Sequence, residues 1–307
     1  MARKKVSIIG AGKVGSTLAQ ILAYKEIADV VLFNRTANSA KGIALDLMES
    51  APLEHFDTNV VGSGDYADIS GSDIVVLTAG VPRKEGMSRD DLLKVNADIV
   101  SAACENIAKQ APDSILIVLT NPLDAMVYLA MKKTGFKKQN VIGMAGILDS
   151  ARFGYFIAKE LGASVNDVNA VVLGSHGDTM VPATSLTEVG GVQVEKLVEK
   201  EKLNSIIERT RNGGAEIISL EKDSSAYYAP ASALATMVES ILKDKKMILP
   251  CSVYLEGEYG ISGIFLGVPV VLGSGGVERI VKLDLSPDES AALAACAEKI
   301  RGIVAAL

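Results

Sequence analysis

Lys5-Val6-Ser7-Ile8-Ile9-Gly10-Ala11-Gly12-Lys13-Val14-Gly15 is the stretch on which the fold turns. A short apolar run, Lys5 to Ile9, ends in glycine, and Leu18, Ile21 and Leu22 then recur at helical spacing. Strand, glycine turn and helix follow each other without a gap. Gly10 permits a tight turn, Gly12 lets the backbone approach a pyrophosphate, and Gly15 lets helix and strand pack closely. The helix N-terminus adds free N–H groups and a partial positive charge for an anion. Glycines also mark ordinary turns. A second apolar strand, Asp29 to Phe33, strengthens the dinucleotide reading for Gly10, Ala11, Gly12, Lys13, Val14 and Gly15.

That second strand ends in Asn34-Arg35-Thr36. An NAD site places an acidic residue there to hold the ribose diol, and none is present. Asn34 is neutral, Arg35 is cationic and Thr36 adds a hydroxyl, a set better suited to a 2′-phosphate. The expectation is therefore NADP, with NAD as the alternative.

Further strands read at Asp73 to Thr78, Ser114 to Leu119 and from Asn140 to Gly143, with helices between them, notably Asp90 to Ala111. This alternation predicts an α/β chain with a mostly parallel, doubly wound Rossmann sheet. After Ala145 the pattern changes to hairpin-like stretches, Asn169 to Leu173 and Val189 to Val194, mixed with longer helices. We therefore divide the chain into a dinucleotide-binding domain, 1–145, and an α+β substrate domain, 146–307. The apolar stretch Tyr227 to Leu242 reads as helix, either core or interface. Ser286-Pro287-Asp288-Glu289 supplies an N-cap, a proline at the first helical position and a capping-box glutamate for a last helix.

The 307 residues carry a net charge of −6 with no basic block, which argues against nucleic-acid binding. Cys104, Cys251 and Cys296 lie far apart, neither a disulfide framework nor a metal pair, so we expect reduced thiols in a cytoplasmic protein. No run reaches membrane-spanning length. Arg3-Lys4-Lys5 and the strand after it superficially resemble a signal peptide, but Gly10, Gly12, Lys13, Gly15 and Gln20 break up any apolar core. No metal cluster is legible.

Of the two histidines, His55 has no chemical neighbours in sequence and reads as structural or surface. His176 lies in Gly174-Ser175-His176-Gly177-Asp178, a glycine-flanked loop after an apolar strand. On those features it is as readily a turn histidine as a proton carrier. Val81 to Arg89 is a loop with Arg83 and Arg89 six apart and Gly80 and Gly86 near its ends, either a lid or a solvated basic loop. Asp149 and Arg152, three apart, would share a helical face and could form a simple surface ion pair.

Five motifs taken together carry more than any of them alone: Ile9-Gly10-Ala11-Gly12, Ala79-Gly80-Val81-Pro82-Arg83-Lys84, Thr120-Asn121-Pro122-Leu123-Asp124, Leu148-Asp149-Ser150-Ala151-Arg152 and the His176 loop. As a set they resemble the lactate and malate dehydrogenases, in particular the malate enzymes that are similar to lactate dehydrogenase. The resemblance covers essentially the whole chain. It implies a 2-hydroxy-acid dehydrogenase in which His176 is the acid/base and Asp149 orients it and stabilises its cation. It implies that Arg152 grips the substrate 1-carboxylate and that Arg89 polarises the carbonyl on loop closure. Asn121 would contact substrate or cofactor, with Asn121-Pro122 resembling the family's cis peptide, and Asn96 and Leu119 to Asn121 would lie near the nicotinamide and its ribose. Arg83 occupies the position where malate enzymes carry arginine and lactate enzymes commonly glutamine, so the implied substrate is a dicarboxylate. Lactate or another 2-hydroxy acid is the alternative. A metal-using nicotinamide-dependent glycosidase or a non-catalytic nucleotide-binding module fits these residues less well. Asn34 departs from the aspartate most relatives carry. The family's assemblies imply a homotetramer, or else a dimer.

Overall fold

The computed structural model describes residues 3–82, 88–222 and 224–307. Six parallel strands form its first half: β1 (Lys5–Ile9), β2 (Asp29–Phe33), β3 (Val60–Ser63), β4 (Ile74–Leu77), β5 (Ile115–Val118) and β6 (Val141–Gly143). They lie in the order 3-2-1-4-5-6, with Lys5 opposite Asp29 and Val6 opposite Ile74. All four residues of β4 and of β5 are buried, as expected of strands covered on both faces. Their side chains alternate between two cores. Ile8, Ile74, Val76 and Ile117 face one, and Ile9, Val75, Leu77 and Leu116 face the other.

Helices α1 (Lys13–Tyr24), α2 (Ala37–Glu54), α3 (Arg89–Gln110), α4 (Leu123–Thr134) and α5 (Gly146–Leu161) follow β1, β2, β4, β5 and β6. Leu18 and Leu22 of α1 enter the first core, while Val100 and Ile107 of α3 and Met126 of α4 enter the second. The sheet is thus wound on both faces. The expectation missed β3. Its Val60-Val61-Gly62-Ser63 is an edge strand whose apolar run is broken by a glycine that the packing demands, since a Cβ at Gly62 would fall 2.3 Å from the Ala40 carbonyl oxygen.

The second half does not build a separate large sheet. Short strands β7 (Val168–Asn169), β8 (Val172–Leu173), β9 (Val181–Pro182), β10 (Glu188–Val189) and β11 (Val192–Gln193) pair among themselves. With α5 and α6 (Lys200–Glu221) they enclose a third core of Phe153, Ile157, Val172, Met180 and Leu203. Then β12 (Met247–Glu256), β13 (Ser262–Gly273) and β14 (Gly276–Ile280) run antiparallel and extend the first sheet, β12 pairing with β6 at Ser252 opposite Gly143. The sheet is therefore nine-stranded and mostly parallel, as expected, with an antiparallel extension of three strands that the sequence reading did not place there. The Tyr227 to Leu242 stretch forms α7 (Tyr228–Leu242), a core helix with Leu234, Met237 and Val238 wholly buried. The last helix, α8 (Pro287–Val304), starts at the predicted cap: Ser286 accepts from the Glu289 backbone, Glu289 returns the bond, and Pro287 stands first.

The strand order reverses between β1 and β4, which opens a crevice at their C-terminal ends. Gly10 turns the chain there at φ +122°, a conformation open to glycine. Its N–H donates to the Phe33 carbonyl at 2.9 Å. A Cβ at Gly15 would stand 1.9 Å from the Gly10 carbonyl oxygen. Gly15→Ala should therefore push α1 off β1 and cost about 3 kcal/mol of unfolding free energy, in the range of core overpacking. Chemical denaturation measures it, and an unchanged midpoint would contradict this packing.

Candidate active site

The nucleotide end of the site is built by the first turn. Gly12 caps α1 with no side-chain hydrogen bond of its own, and no acidic residue occupies the helix's first turn. A Cβ at Gly12 would meet nothing within 4 Å. The backbone there is open, with unspent N–H groups, which fits a bound phosphate. Gly10, Ala11, Gly12, Asn34 and Arg35 line a cavity of about 360 Å³ together with Tyr66. Asn34 Oδ1 accepts from the Thr36 N–H at 3.3 Å, and Arg35 is exposed beside it. Lys13 and Val14 take other positions. The Lys13 ammonium lies over the Tyr227 ring, 5.3 Å from its centroid, and Val14 packs on the first core. Leu119 donates its N–H to Leu77 and so continues β5 toward the same end.

The proton-transfer end is built by α5 and the loop after β8. Helix α5 begins immediately after β6, so Asp149 falls in its first turn and Arg152 on the turn above. Asp149 is 1% exposed, and its Oδ1 meets Arg152 Nη1 at 3.5 Å. This pair is partly buried, with the Arg152 side chain 14% exposed, in place of the surface pair that the spacing also allowed. The other oxygen, Oδ2, stands 2.9 Å from His176 Nδ1. Asp149 thus holds both partners, one on each oxygen. With Nδ1 engaged, Nε2 remains for exchange with a substrate. Burial works against the imidazolium, but Asp149's charge and hydrogen bond, with a smaller contribution from Asp124, outweigh it and raise the His176 pKa. Burial lowers the Arg152 pKa while Asp149 opposes that.

Two glycines hold the His176 loop to the main sheet. Gly174 and Gly267 of β13 exchange backbone hydrogen bonds of 2.8 and 3.0 Å, and a Cβ at Gly267 would stand 2.4 Å from the Gly174 carbonyl oxygen. Next along the loop, the Ser175 N–H donates to Cys296 Sγ of α8 at 3.1 Å. His176, Asn121 and Lys299 of α8 line a cleft of about 580 Å³. His55 ends α2 in an exposed left-handed position, away from this cluster. Arg83 lies outside the described residues. Arg89 stands as the first residue of α3, behind a capping box formed by Ser88 and Asp91.

Asn96 does something sequence reasoning did not foresee. Its Oδ1 accepts from Val81 N at 2.9 Å, while its amide donates to Val81 O at 3.2 Å and Asn121 O at 2.7 Å. It clasps the root of the arginine loop to the cis Asn121–Pro122 peptide. Ser252 and Asp124, hydrogen-bonded at 2.6 Å behind the loop, also went unread. The one signal was a carboxylate at the start of an otherwise apolar helix, Leu123-Asp124-Ala125-Met126-Val127. Among the described residues, no group of three or more His, Cys, Asp or Glu side chains is placed to hold a metal, and no helix is long and apolar enough to cross a membrane.

The chain is similar to characterised proteins along its whole length. A malate dehydrogenase of Rhodopirellula baltica is 52% identical over 309 aligned positions, covering 100% of this chain and 98% of that one. The crystal structure of a Cryptosporidium parvum malate dehydrogenase superposes with a TM-score of 0.96 at 43% identity, covering 99% and 98% of the two chains. A lactate dehydrogenase from the same organism, complexed with lactic acid and nicotinamide adenine dinucleotide, also gives 0.96, at 41% identity and the same coverage. Residues 4–143 match the family model for the lactate/malate dehydrogenase NAD-binding domain, and residues 147–306 that for the alpha/beta C-terminal domain. With the glycine turn at the strand-order reversal and histidine, aspartate and arginine joined in one cluster, the chain belongs to the lactate/malate dehydrogenase family.

Proposed function

We propose that the chain is a malate dehydrogenase that interconverts (S)-malate and oxaloacetate with a nicotinamide cofactor. The observation that carries the chemistry is the partly buried His176–Asp149–Arg152 cluster. A bound nicotinamide supplies or accepts the hydride at the substrate's second carbon. In the reducing direction His176 Nε2 donates a proton to the carbonyl oxygen, and in the oxidising direction it takes that proton back. Asp149 stabilises the imidazolium. Arg152 holds the 1-carboxylate through a two-pronged contact that lysine would not reproduce. Arg89 polarises the carbonyl when the loop closes and water leaves. Asn121, at the cleft wall, contacts substrate or cofactor.

Fold does not choose between malate and lactate, since relatives of both kinds superpose equally well. The choice of a dicarboxylate rests on Arg83, which would meet the second carboxylate in a dehydrated pocket. For the cofactor we favour NADP over NAD. Asn34 brings no charge to repel a 2′-phosphate, Arg35 lies in the same cavity, and Thr36 adds a hydroxyl. Asn34, Arg35 and Thr36 are thus the specificity residues, with Gly10, Ala11, Gly12, Lys13, Val14 and Gly15 cradling the pyrophosphate and Asn96, Leu119 and Asn121 beside the nicotinamide ribose. We assign 1–145 to cofactor and 146–307 to substrate, a division supported by the two family matches. A homotetramer, or else a dimer, is the assembly that the family resemblance implies, and three buried free thiols support a cytoplasmic setting.

His176→Asn should cut turnover about 10²–10⁴-fold while leaving cofactor affinity nearly intact. The raised His176 pKa also carries a sign. The imidazolium persists to higher pH than for a free histidine, so oxaloacetate reduction should fall only above the ordinary histidine range, and Asp149→Asn should move that fall to lower pH. Near-normal turnover of His176→Asn, or a pH profile unmoved in Asp149→Asn, would remove the acid/base assignment.

Arg83→Gln should lower kcat/KM for oxaloacetate by an amount corresponding to about 2–5 kcal/mol and improve pyruvate relative to it. An unchanged ratio for the two substrates would rule out Arg83 as the discriminator.

The same assay decides the cofactor. Oxaloacetate-dependent oxidation should proceed with NADPH at least as well as with NADH. Asn34→Asp should swing the preference to NADH by on the order of 1–3 kcal/mol, because a partly exposed charge is screened. A strong NADH preference in the unmodified protein would leave Asn34 as a tolerated residue in an NAD enzyme.

A further inference from the structure

A second carboxylate stands behind the His176 loop. Asp124 occupies the first turn of α4, two residues after the cis Asn121–Pro122 peptide. It is 5% exposed. Its Oδ1 accepts from Ser252 Oγ at 2.6 Å, and Ser252 on β12 is wholly buried at the point where β12 meets β6. Asp124 and His176 line the same cleft, and after Ser252 the charge of the His176 ring and then the His176 main-chain N–H favour the ionised form of Asp124. Three segments from distant parts of the chain therefore converge on this one carboxylate: the start of α4, the middle of β12 and the histidine loop. A buried charge is retained only where such partners offset its desolvation, and the reaction as described above gives this one no task.

We infer that Asp124 is a positioning residue for His176, anchoring the histidine's main chain to the sheet and supplying a second negative charge to its imidazolium while Asp149 holds the ring. The two carboxylates divide the work by geometry. Asp149 accepts a hydrogen bond from Nδ1 and sets ring orientation. Asp124 takes the main chain and acts on the ring through space, and it contributes to keeping the His176 pKa raised. Burial in turn raises Asp124 itself to about 6, against the Ser252 hydrogen bond and the His176 charge, which lower it. The support is thus in place at neutral pH and is lost as the solution becomes mildly acidic. Besides His176, the charged side chains lining the cleft at Asp124 are Lys299 from α8, Asp90 from α3 and Asp178 from the histidine loop.

The inference rests on His176 being the proton carrier, yet it can be tested on the histidine directly. The chain has only two histidines. In a His55→Gln background, the rate of carbethoxylation by diethyl pyrocarbonate against pH titrates His176 alone, whether or not it turns over substrate. Asp124→Asn keeps the side-chain size and removes the charge. The His176 midpoint should fall by about one pH unit. The kcat for oxaloacetate reduction above neutral pH should fall about tenfold, a loss equal to that shift in protonation, while cofactor Kd stays within about twofold. Ser252→Ala, a milder change outside the cleft, should make Asp124 easier to protonate and lower the His176 midpoint in the same direction near pH 6–7, by less. A purely structural Asp124 would lower Tm and leave the His176 midpoint in place in both variants, and that result overturns the inference. If Asp124→Asn does not fold, Ser252→Ala carries the test. A shifted midpoint with unaltered kcat upholds the inference and refutes the proton-carrier role of His176.

Discussion

The contact on which the rest of the molecule depends is the meeting of β6 and β12, where Ser252 lies opposite Gly143. A Cβ at Gly143 would stand 2.8 Å from that of Ser252 and 2.7 Å from Val127, so only glycine lets the strands approach. Through this junction the antiparallel strands of the second half join the parallel sheet of the first. Helix α5, with Asp149 and Arg152, leaves from the end of β6 three residues later. The His176 loop is bridged to β13, the neighbour of β12. A site shared between two halves of a chain would otherwise move with their relative motion. Here both sides of the His176–Asp149 contact are hung from one continuous sheet, which keeps a 2.9 Å contact between residues 27 positions apart.

Charge accounting in the cleft follows from that rigidity. Asp149, Asp124 and Arg152 are withdrawn from water, and each is stabilised by a neighbour: Arg152 and His176 for Asp149, Ser252 and the loop backbone for Asp124. With His176 protonated, these four groups carry two positive and two negative charges. Arg83 and Arg89 flank the segment that precedes α3, and Asn96 on that helix ties its root, Val81, to Asn121.

Relatives that act on lactate and on malate share this frame at equal TM-scores. Fold alone therefore does not separate the two activities.

The local sequence determined what depends on near neighbours. The glycine turn at Gly10 to Gly15, the apolar strands β1, β2, β4, β5 and β6 and the Ser286–Glu289 cap all read correctly, because their hydrogen bonds and periodicity close within a few residues. His176 was ambiguous in isolation, and the set of motifs, not its own neighbourhood, marked it. Only the tertiary structure decided the extension of the sheet by β12 to β14, the edge strand β3 with its obligatory Gly62, and the Asp124–Ser252 contact. It also turned Asp149–Arg152 from a spacing that could serve a surface pair into a partly buried one. The reason is physical: burial and strand partnership are set by elements distant in the chain, as when Ser252 meets Asp124 or Gly143, and no pattern within a helix or strand encodes what will be packed against it.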